Sequence, residues 1–310
     1  MADRIVITGA AGLVGLNLIP RLKARGYADI VAIDKHPANV ARVRSLHPGV
    51  TVIAADLALD DGWQSAIAGA GAIVISHAQI GGLDEAAFTA NNVVATRRVL
   101  EAAQLHGVPY LVHLSSSAVN STADDWYAQS KALQESCVRD AGIPAIVLRP
   151  TLMFGWFDRK HLGWLARFMG RSPLFPIPGD GRYLRQPLYV GDLCEIVAAC
   201  LARRLTGVHD ITGLERIDFI DLMRAVRDAC GAHTPFVRVP YRLFWGLLFV
   251  YGKIDRNPPF TTRQLEALVT PDVFQVTDWP GTFQVTPTPL DAALAETFRD
   301  PRYSNVVLDF

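Results

Sequence analysis

The chain has 310 residues, half of them hydrophobic, with 30 basic and 30 acidic side chains and a formal net charge of zero. That is enough apolar material for one large core, or for a core with a smaller lobe. Balanced charge argues against the basic footprint of a nucleic-acid binder, and no apolar run reaches the roughly 18–20 residues of a membrane span.

The first predicted strand, "RIVITG" (residues 4–9), starts within five residues of Met1 and leaves no room for a signal peptide, so the expected location is cytoplasmic. A helix is predicted over 13–26, then the strand "IVAID" (Ile30–Asp34), a helix near 39–46 and the strand "VTVIAAD" (50–56). A short helix is expected over 63–68, followed by "AIVISHA" (72–78). Apolar residues at helical spacing run through 91–107, "YLVHLSSS" (110–117) is the next strand, a helix covers 124–141, and "AIVLRP" closes the series at 145–150. Near-continuous apolar strands alternating with helices give an α/β fold, a doubly wound parallel sheet covered on both faces.

After Pro150 prolines and aromatics become frequent, which reads as a second, smaller C-terminal lobe. "LRQPLYVGDLCEIVAACLARRL" and "GVHDITG" have the texture of elements returning to the sheet. The expected division is therefore discontinuous: 1–150 with about 186–212 for the nucleotide-binding domain, and 151–185 with 213–310 for the substrate lobe. "LFWGLLFVYG" (243–252) lies in a stretch, Tyr241–Ile254, read as a helix buried on several sides because it lacks a basic face; an interfacial helix or a dimer face is the alternative. The four cysteines have no metal-ligand spacing and read as isolated thiols in a reducing compartment. No metal site is expected.

Two constellations carry chemistry. In "TGAAGLVG" a strand turns into a helix around Gly9, Gly12 and Gly15. Gly9 allows the tight turn, Gly12 lets the backbone approach a pyrophosphate, and Gly15 lets helix and strand pack closely, with Leu13 and Val14 opening the helix. Asp34, nineteen positions past Gly15, ends the next strand. A carboxylate there accepts both ribose hydroxyls of NAD and repels the extra phosphate of NADP. A ligand-free glycine turn is the alternative, and Lys35 and His36 blur the NAD preference. The second constellation is "YAQSK": Tyr127 and Lys131 stand four apart on one helix face. An ammonium beside a phenol lowers its pKa, so the phenol can exchange a proton with a substrate oxygen. Ser115, Ser116 and Ser117 lie upstream at a strand end, where a hydroxyl could bind the same oxygen.

With these residues in view, the sequence resembles the extended short-chain dehydrogenase/reductase superfamily, in its NAD-dependent epimerase/dehydratase branch. The resemblance covers about the first 210 residues through "TGAAGLVG", "AADL" (54–57), "SHAQ" (76–79), "NNVVATRRVLEAA" (91–103), "LSSSAVN" (114–120), "YAQSK", "LRPTLMFG" (148–155) and "GDGRYLRQPLYVGDL" (179–193). It implies Tyr127 as catalytic acid/base, Lys131 as its activator and ribose ligand, and Ser116, with Ser117 a close second, as the substrate-binding serine. It also implies Asp56 and Leu57 beside the adenine, Ala78 along the cofactor channel, Asn92 as a brace of the central helix at the cofactor, and Arg185 on the diphosphate of a nucleotide sugar. A homodimer through the helices at 91–107 and 124–141 is implied as well.

Departures bear on the substrate. VYG is replaced by Val119-Asn120, and only ten residues separate Ser116 from Tyr127. The Asp-Glu pair of dehydratases is replaced by Ser117-Ala118, which leaves only Asp124 or Asp125 as substitutes. The second diphosphate arginine has no motif, with Arg299 and Arg302 as candidates. The expected function is an NAD-dependent oxidoreductase or epimerase that interconverts alcohol and ketone on a nucleotide sugar. The alternatives are a dehydrogenase of a sterol-like or other apolar alcohol, or a non-catalytic NAD(P)H-binding accessory subunit.

Overall fold

The computed structural model describes residues 4–82, 84–120, 125–254, 261–270 and 274–308, without the side chains of Arg263, Gln264 and Ala267. Strands β1 (Arg4–Thr8), β2 (Ile30–Asp34), β3 (Thr51–Ala54), β4 (Ala70–Ile75), β5 (Leu111–Leu114), β6 (Ala145–Pro150) and β7 (Gly207–Ile211) form one sheet in the order β7-β6-β5-β4-β1-β2-β3. Every pairing is parallel. The order reverses between β1 and β4, and in such sheets the crevice beyond the strand ends at that reversal is where ligands bind.

Side chains alternate along a strand, and here both sides are dry. Ile5 and Ile7 of β1 join one apolar cluster, while Val6 joins the other. Helices α1 (Leu13–Ala24) and, from beyond the lobe, Val190–Arg203 cover the first face through Leu16, Leu18, Ile19, Leu193 and Val197. Helix α2 (Pro37–Leu46) follows β2, and α3 (Ala95–Leu105) and α4 (Trp126–Asp140) cover the second face through Val99, Leu100 and Val138.

The lobe has its own core. Helix α5 (Leu162–Met169) and the later α7 (Phe219–Cys230) pack with Phe154, Phe175, Ile177, Tyr183 and Leu294. Between them in the chain, α6, the helix at Val190–Arg203, goes back onto α1, and β7 pairs with β6. The C-terminal stretch returns too: Trp279, Phe283, Tyr303 and Leu308 belong to the main core.

Two elements differ from the sequence reading. The helix expected over 91–107 begins as a π-helical stretch, Thr89–Val94, before α3; its cause is given with the site. Helix α8 (Tyr241–Ile254) was expected to be buried on several sides, yet none of its residues is buried. Among the described residues α9 (Thr262–Val269) reaches it where Trp245 Nε1 donates to Glu266 Oε1 at 2.9 Å, while Leu243, Leu247, Val250 and Ile254 stay exposed.

Candidate active site

The site starts where β1 ends. Gly9 has φ +65°, and a Cβ there would lie 2.6 Å from the His77 backbone, so the turn and the close approach of β4 both require glycine. A Cβ at Gly15 would fall 2.4 Å from the Ala10 carbonyl oxygen, which fixes Gly15 by helix packing. Gly12 is different: a Cβ would meet only the Gly9 oxygen, at 3.3 Å. The chain does not need that glycine for its own packing, and the open space lies at the head of α1. Gly12 is the N-cap of α1 with no side-chain cap, and the first turn has no acidic residue. The first-turn N–H groups of Leu13, Val14 and Gly15 and the positive end of the helix thus face a potential anion. Leu13 and Val14 direct their apolar side chains against the main core.

Asp34 ends β2 and is held in place by two backbone donors, Ala11 N–H at 3.0 Å and His36 N–H at 3.0 Å. Its carboxylate is therefore fixed beside the glycine turn, with lone pairs left for further donors. Lys35 is turned away from it: Nζ donates to Asp56 Oδ2 at 3.1 Å and to Asn91 Oδ1 at 2.6 Å. Burial pushes the Asp56 carboxyl up, but the Ala58 N–H and Lys35 outweigh it and hold the pKa below the usual value. Leu57 is buried in the second core cluster, and Ala78 is exposed beyond the end of β4.

Asn92 is fully buried. Its Oδ1 accepts from Gln79 N–H at 2.6 Å, and its Nδ2 donates to Gln79 O at 3.2 Å and Ser130 Oγ at 2.9 Å. This ties the β4 exit loop to α4 and is the work of the π-helical stretch, where Asn91 also donates to Gln79 Oε1 at 3.0 Å. Both ends of the Asn92 amide are engaged by protein, which braces the central helix against the β4 exit loop.

The three serines separate cleanly. Ser115 is buried and donates to Glu135 Oε2 at 2.9 Å. Ser116 accepts from Ala118 N–H at 3.2 Å and is the hydroxyl near enough to the Tyr127 phenol to pull its pKa down. Ser117 opens a short 3-10 turn, Ser117–Asn120. Asp125 caps α4 by accepting from Ala128 N–H at 2.8 Å, so its carboxylate serves the helix, while Asp124 lies outside the described residues. Tyr127 sits in the first turn of α4 and Lys131 one turn later.

Lys131 is almost fully buried. Its Nζ donates to the Leu114 carbonyl at 2.8 Å and to Gln134 Oε1. Burial pushes its pKa down to about 7, against a smaller upward pull from Glu135. The expected lowering of the phenol pKa is not what this geometry gives. Burial raises the Tyr127 pKa, the neighbouring Ser116 hydroxyl offsets part of the rise, and Asp125 adds to it. The reason is that the ammonium is drawn to the end of β5 and to Gln134, and that burial leaves it only part-charged near neutral pH.

Sequence reasoning missed the buried chain behind this lysine. Gln134 Nε2 donates to Thr96 Oγ1 at 2.8 Å; Thr96 Oγ1 is 3.0 Å from His77 Nε2; His77 Nδ1 is 2.7 Å from Thr8 Oγ1. Burial, helped by the Lys131 charge, pushes the His77 pKa down to about 3, so the ring is neutral. It also missed the bidentate pair of Arg149 with Glu135, at 3.0 and 2.6 Å, which joins β6 to α4. "SHAQ" placed His77 at a strand end, but nothing local signalled Gln134.

In the lobe, Arg185 Nη1 donates to the Thr270 carbonyl at 2.9 Å, and the guanidinium lies 5.4 Å from the Tyr183 ring centre. Arg299 donates to the Ala229 and Asp228 carbonyls, each at 2.8 Å, and Arg302 to the Leu46 carbonyl at 3.0 Å. All three arginines raised as diphosphate ligands hold protein carbonyls.

A family model described as the NAD dependent epimerase/dehydratase family matches residues 5–211, two thirds of the chain. The chain belongs to this family. It is accordingly an NAD-dependent enzyme of the extended short-chain dehydrogenase/reductase type. The family's cofactor fits the residues present, because the Gly12 opening, the uncapped head of α1 and the fixed Asp34 carboxylate suit a pyrophosphate and a ribose diol. Ceramide reductase of Caulobacter vibrioides is 26% identical over 302 residues, covering 94% of this chain and 88% of that protein. A dTDP-glucose 4,6-dehydratase of Streptomyces niveus is 26% identical over 277 residues, covering 77% of this chain and 81% of that protein. The fold is that of the Bordetella bronchiseptica enzyme WbmH in complex with NAD+, with a TM-score of 0.73 at 17% identity over 95% of this chain and 96% of that one.

Proposed function

We propose that the protein interconverts a secondary alcohol and its ketone with Tyr127 as proton carrier, and that its substrate is apolar. The nearness of the Ser116 hydroxyl to the Tyr127 phenol, with Lys131 one turn further along α4, is the observation that supports the reaction. In the reducing direction the phenol gives its proton to the ketone oxygen, and the Ser116 hydroxyl donates to the same oxygen. Bound NAD supplies the two-electron exchange with the substrate carbon. A raised phenol pKa keeps Tyr127 protonated at neutral pH, which suits ketone reduction; alcohol oxidation needs the phenolate and gains as pH rises. Release of the ketone makes a dehydrogenase or reductase, and its re-reduction on the other face makes an epimerase.

The apolar substrate is argued from the lobe. Arg185, Arg299 and Arg302 are engaged by carbonyls, so a diphosphate would have to displace those bonds. The similarity to ceramide reductase runs over 94% of the chain, lobe included, against 77% for the dTDP-glucose dehydratase. A nucleotide sugar is the second reading, favoured by that dehydratase and by family membership. Against dehydration, Ser117-Ala118 stand where dehydratases have an Asp-Glu pair, and Asp125 is a helix cap. A homodimer through residues 91–107 and α4 belongs to the same proposal; Leu105 and Leu133 are exposed there.

The experiment is NADH-dependent reduction of a panel of long-chain 3-oxo compounds beside UDP- and dTDP-4-keto sugars. Turnover of the acyl ketones alone supports the apolar reading, and turnover of the sugars alone replaces it with the second. Tyr127→Phe is expected to lower kcat at least ~100-fold while leaving NADH affinity within about threefold. Near-normal turnover in that variant removes Tyr127 from the chemistry.

A further inference from the structure

Helix α8 buries none of its fourteen residues. Leu243, Leu247, Val250 and Ile254 follow at spacings of four, three and four, which places them on one stripe. All four are more than half exposed, with Phe249 and Tyr251 close behind at 47% and 44%. An apolar surface of this kind marks a contact with something outside the chain. We propose that α8 lies in the headgroup region of an anionic lipid bilayer.

Charge chooses the occupant. From Arg238 to Arg256 the sequence carries four cations, Arg238, Arg242, Lys253 and Arg256, against one carboxylate, Asp255, and Glu266 of α9 is held by Trp245 Nε1. Pairing α8 with a second copy sets Arg242 against Lys253 when antiparallel and each against its own copy when parallel, and Asp255 is one carboxylate among four cations on each copy. An anionic headgroup layer reverses that sign while the stripe enters the acyl boundary. Tyr251, beside the stripe, supplies a ring with one polar end, the type that rests at a membrane interface. The helix lies on the bilayer and does not cross it: fourteen residues reach roughly 21 Å against a hydrocarbon core of ~30 Å, and no helix among the described residues is long and apolar enough to span. The inference does not depend on the substrate, because a surface-bound enzyme could act on a soluble one.

Flotation of the full-length protein with phosphatidylcholine vesicles, with and without phosphatidylglycerol, tests it. Wild type is expected to float with the anionic vesicles, at least ~10-fold more than with the neutral ones, and to be released by salt. Leu247→Glu with Val250→Glu is expected to lower flotation about tenfold or more while NADH binding, measured by fluorescence, shows that the fold is kept. Should that pair unfold the protein, Arg242→Glu with Lys253→Glu serves instead and is expected to remove the anionic preference. Wild type staying in the soluble fraction, or floating equally with both vesicles, overturns the proposal. Light scattering gives the rival outcome: if Leu247→Glu with Val250→Glu splits an oligomer and wild type ignores vesicles, the occupant is a second copy.

Discussion

Gly12 and Gly15 look alike in the sequence and have opposite reasons to be glycine. Gly15→Ala forces a Cβ to 2.4 Å from the Ala10 oxygen, which backbone atoms relieve only by moving. It should destabilise the protein by roughly 1–3 kcal/mol, read as a lower denaturation midpoint. Gly12→Ala meets one atom at 3.3 Å and should leave that midpoint nearly unchanged. Its methyl stands where the pyrophosphate is expected, so NADH affinity should fall at least ~10-fold, or about 1.4 kcal/mol. Lys131 makes a pH prediction. Its folded pKa is lowered to about 7 from 10.5, so the unfolded chain binds more protons between those values. Stability from this group therefore rises with pH across that window and is lost as pH falls through about 7. Urea unfolding of the cofactor-free protein at pH 6.5 and 9 should show wild type gaining stability over Lys131→Met by a few kcal/mol. An equal gain in both proteins would refute the assignment.

The π-helical stretch Thr89–Val94 shows what an element carries beyond its period. The apolar spacing of 91–107 reads as one helix, and α3 satisfies that reading from Ala95 onward. The extra residue per turn before it serves Asn91 and Asn92, whose partners Gln79 and Ser130 come from other elements. Asn92→Ala leaves a buried N–H and a hydroxyl without that amide, a cost of about 2 kcal/mol, and should lower Tm by roughly 4 °C. Activity should fall as well, because α4 carries Tyr127 and Lys131. Helix α8 teaches the reverse lesson. Its apolar content was plain in the sequence and read as burial on several sides, but apolar content states only that a surface avoids water. Whether protein covers that surface depends on where the next element lies.

At the scale of the molecule, the C-terminal segment closes the nucleotide-binding half as well as the lobe. Trp279 is 2% exposed in the main core, and its Nε1 donates to the Thr212 carbonyl at 2.8 Å, just past β7. Trp279→Ala should cost roughly 3–5 kcal/mol and lower a single cooperative melting transition. A second transition, with the sheet melting separately, would show that the segment is dispensable to it. The sequence by itself determined the alternation of strands and helices, the glycine turn with Asp34 beyond it, and the Tyr127 and Lys131 pair one helical turn apart. Each is written within a few neighbouring residues, as period, turn chemistry or helical spacing. Only the tertiary structure decided which of three serines meets the phenol, where the Lys131 ammonium goes, what holds Arg185, and which face of α8 is bare. Those outcomes belong to partners far apart in the chain, such as Thr8 and His77 at a separation of 69 residues. The order of strands in the sheet brings such partners together, and local sequence does not encode that order.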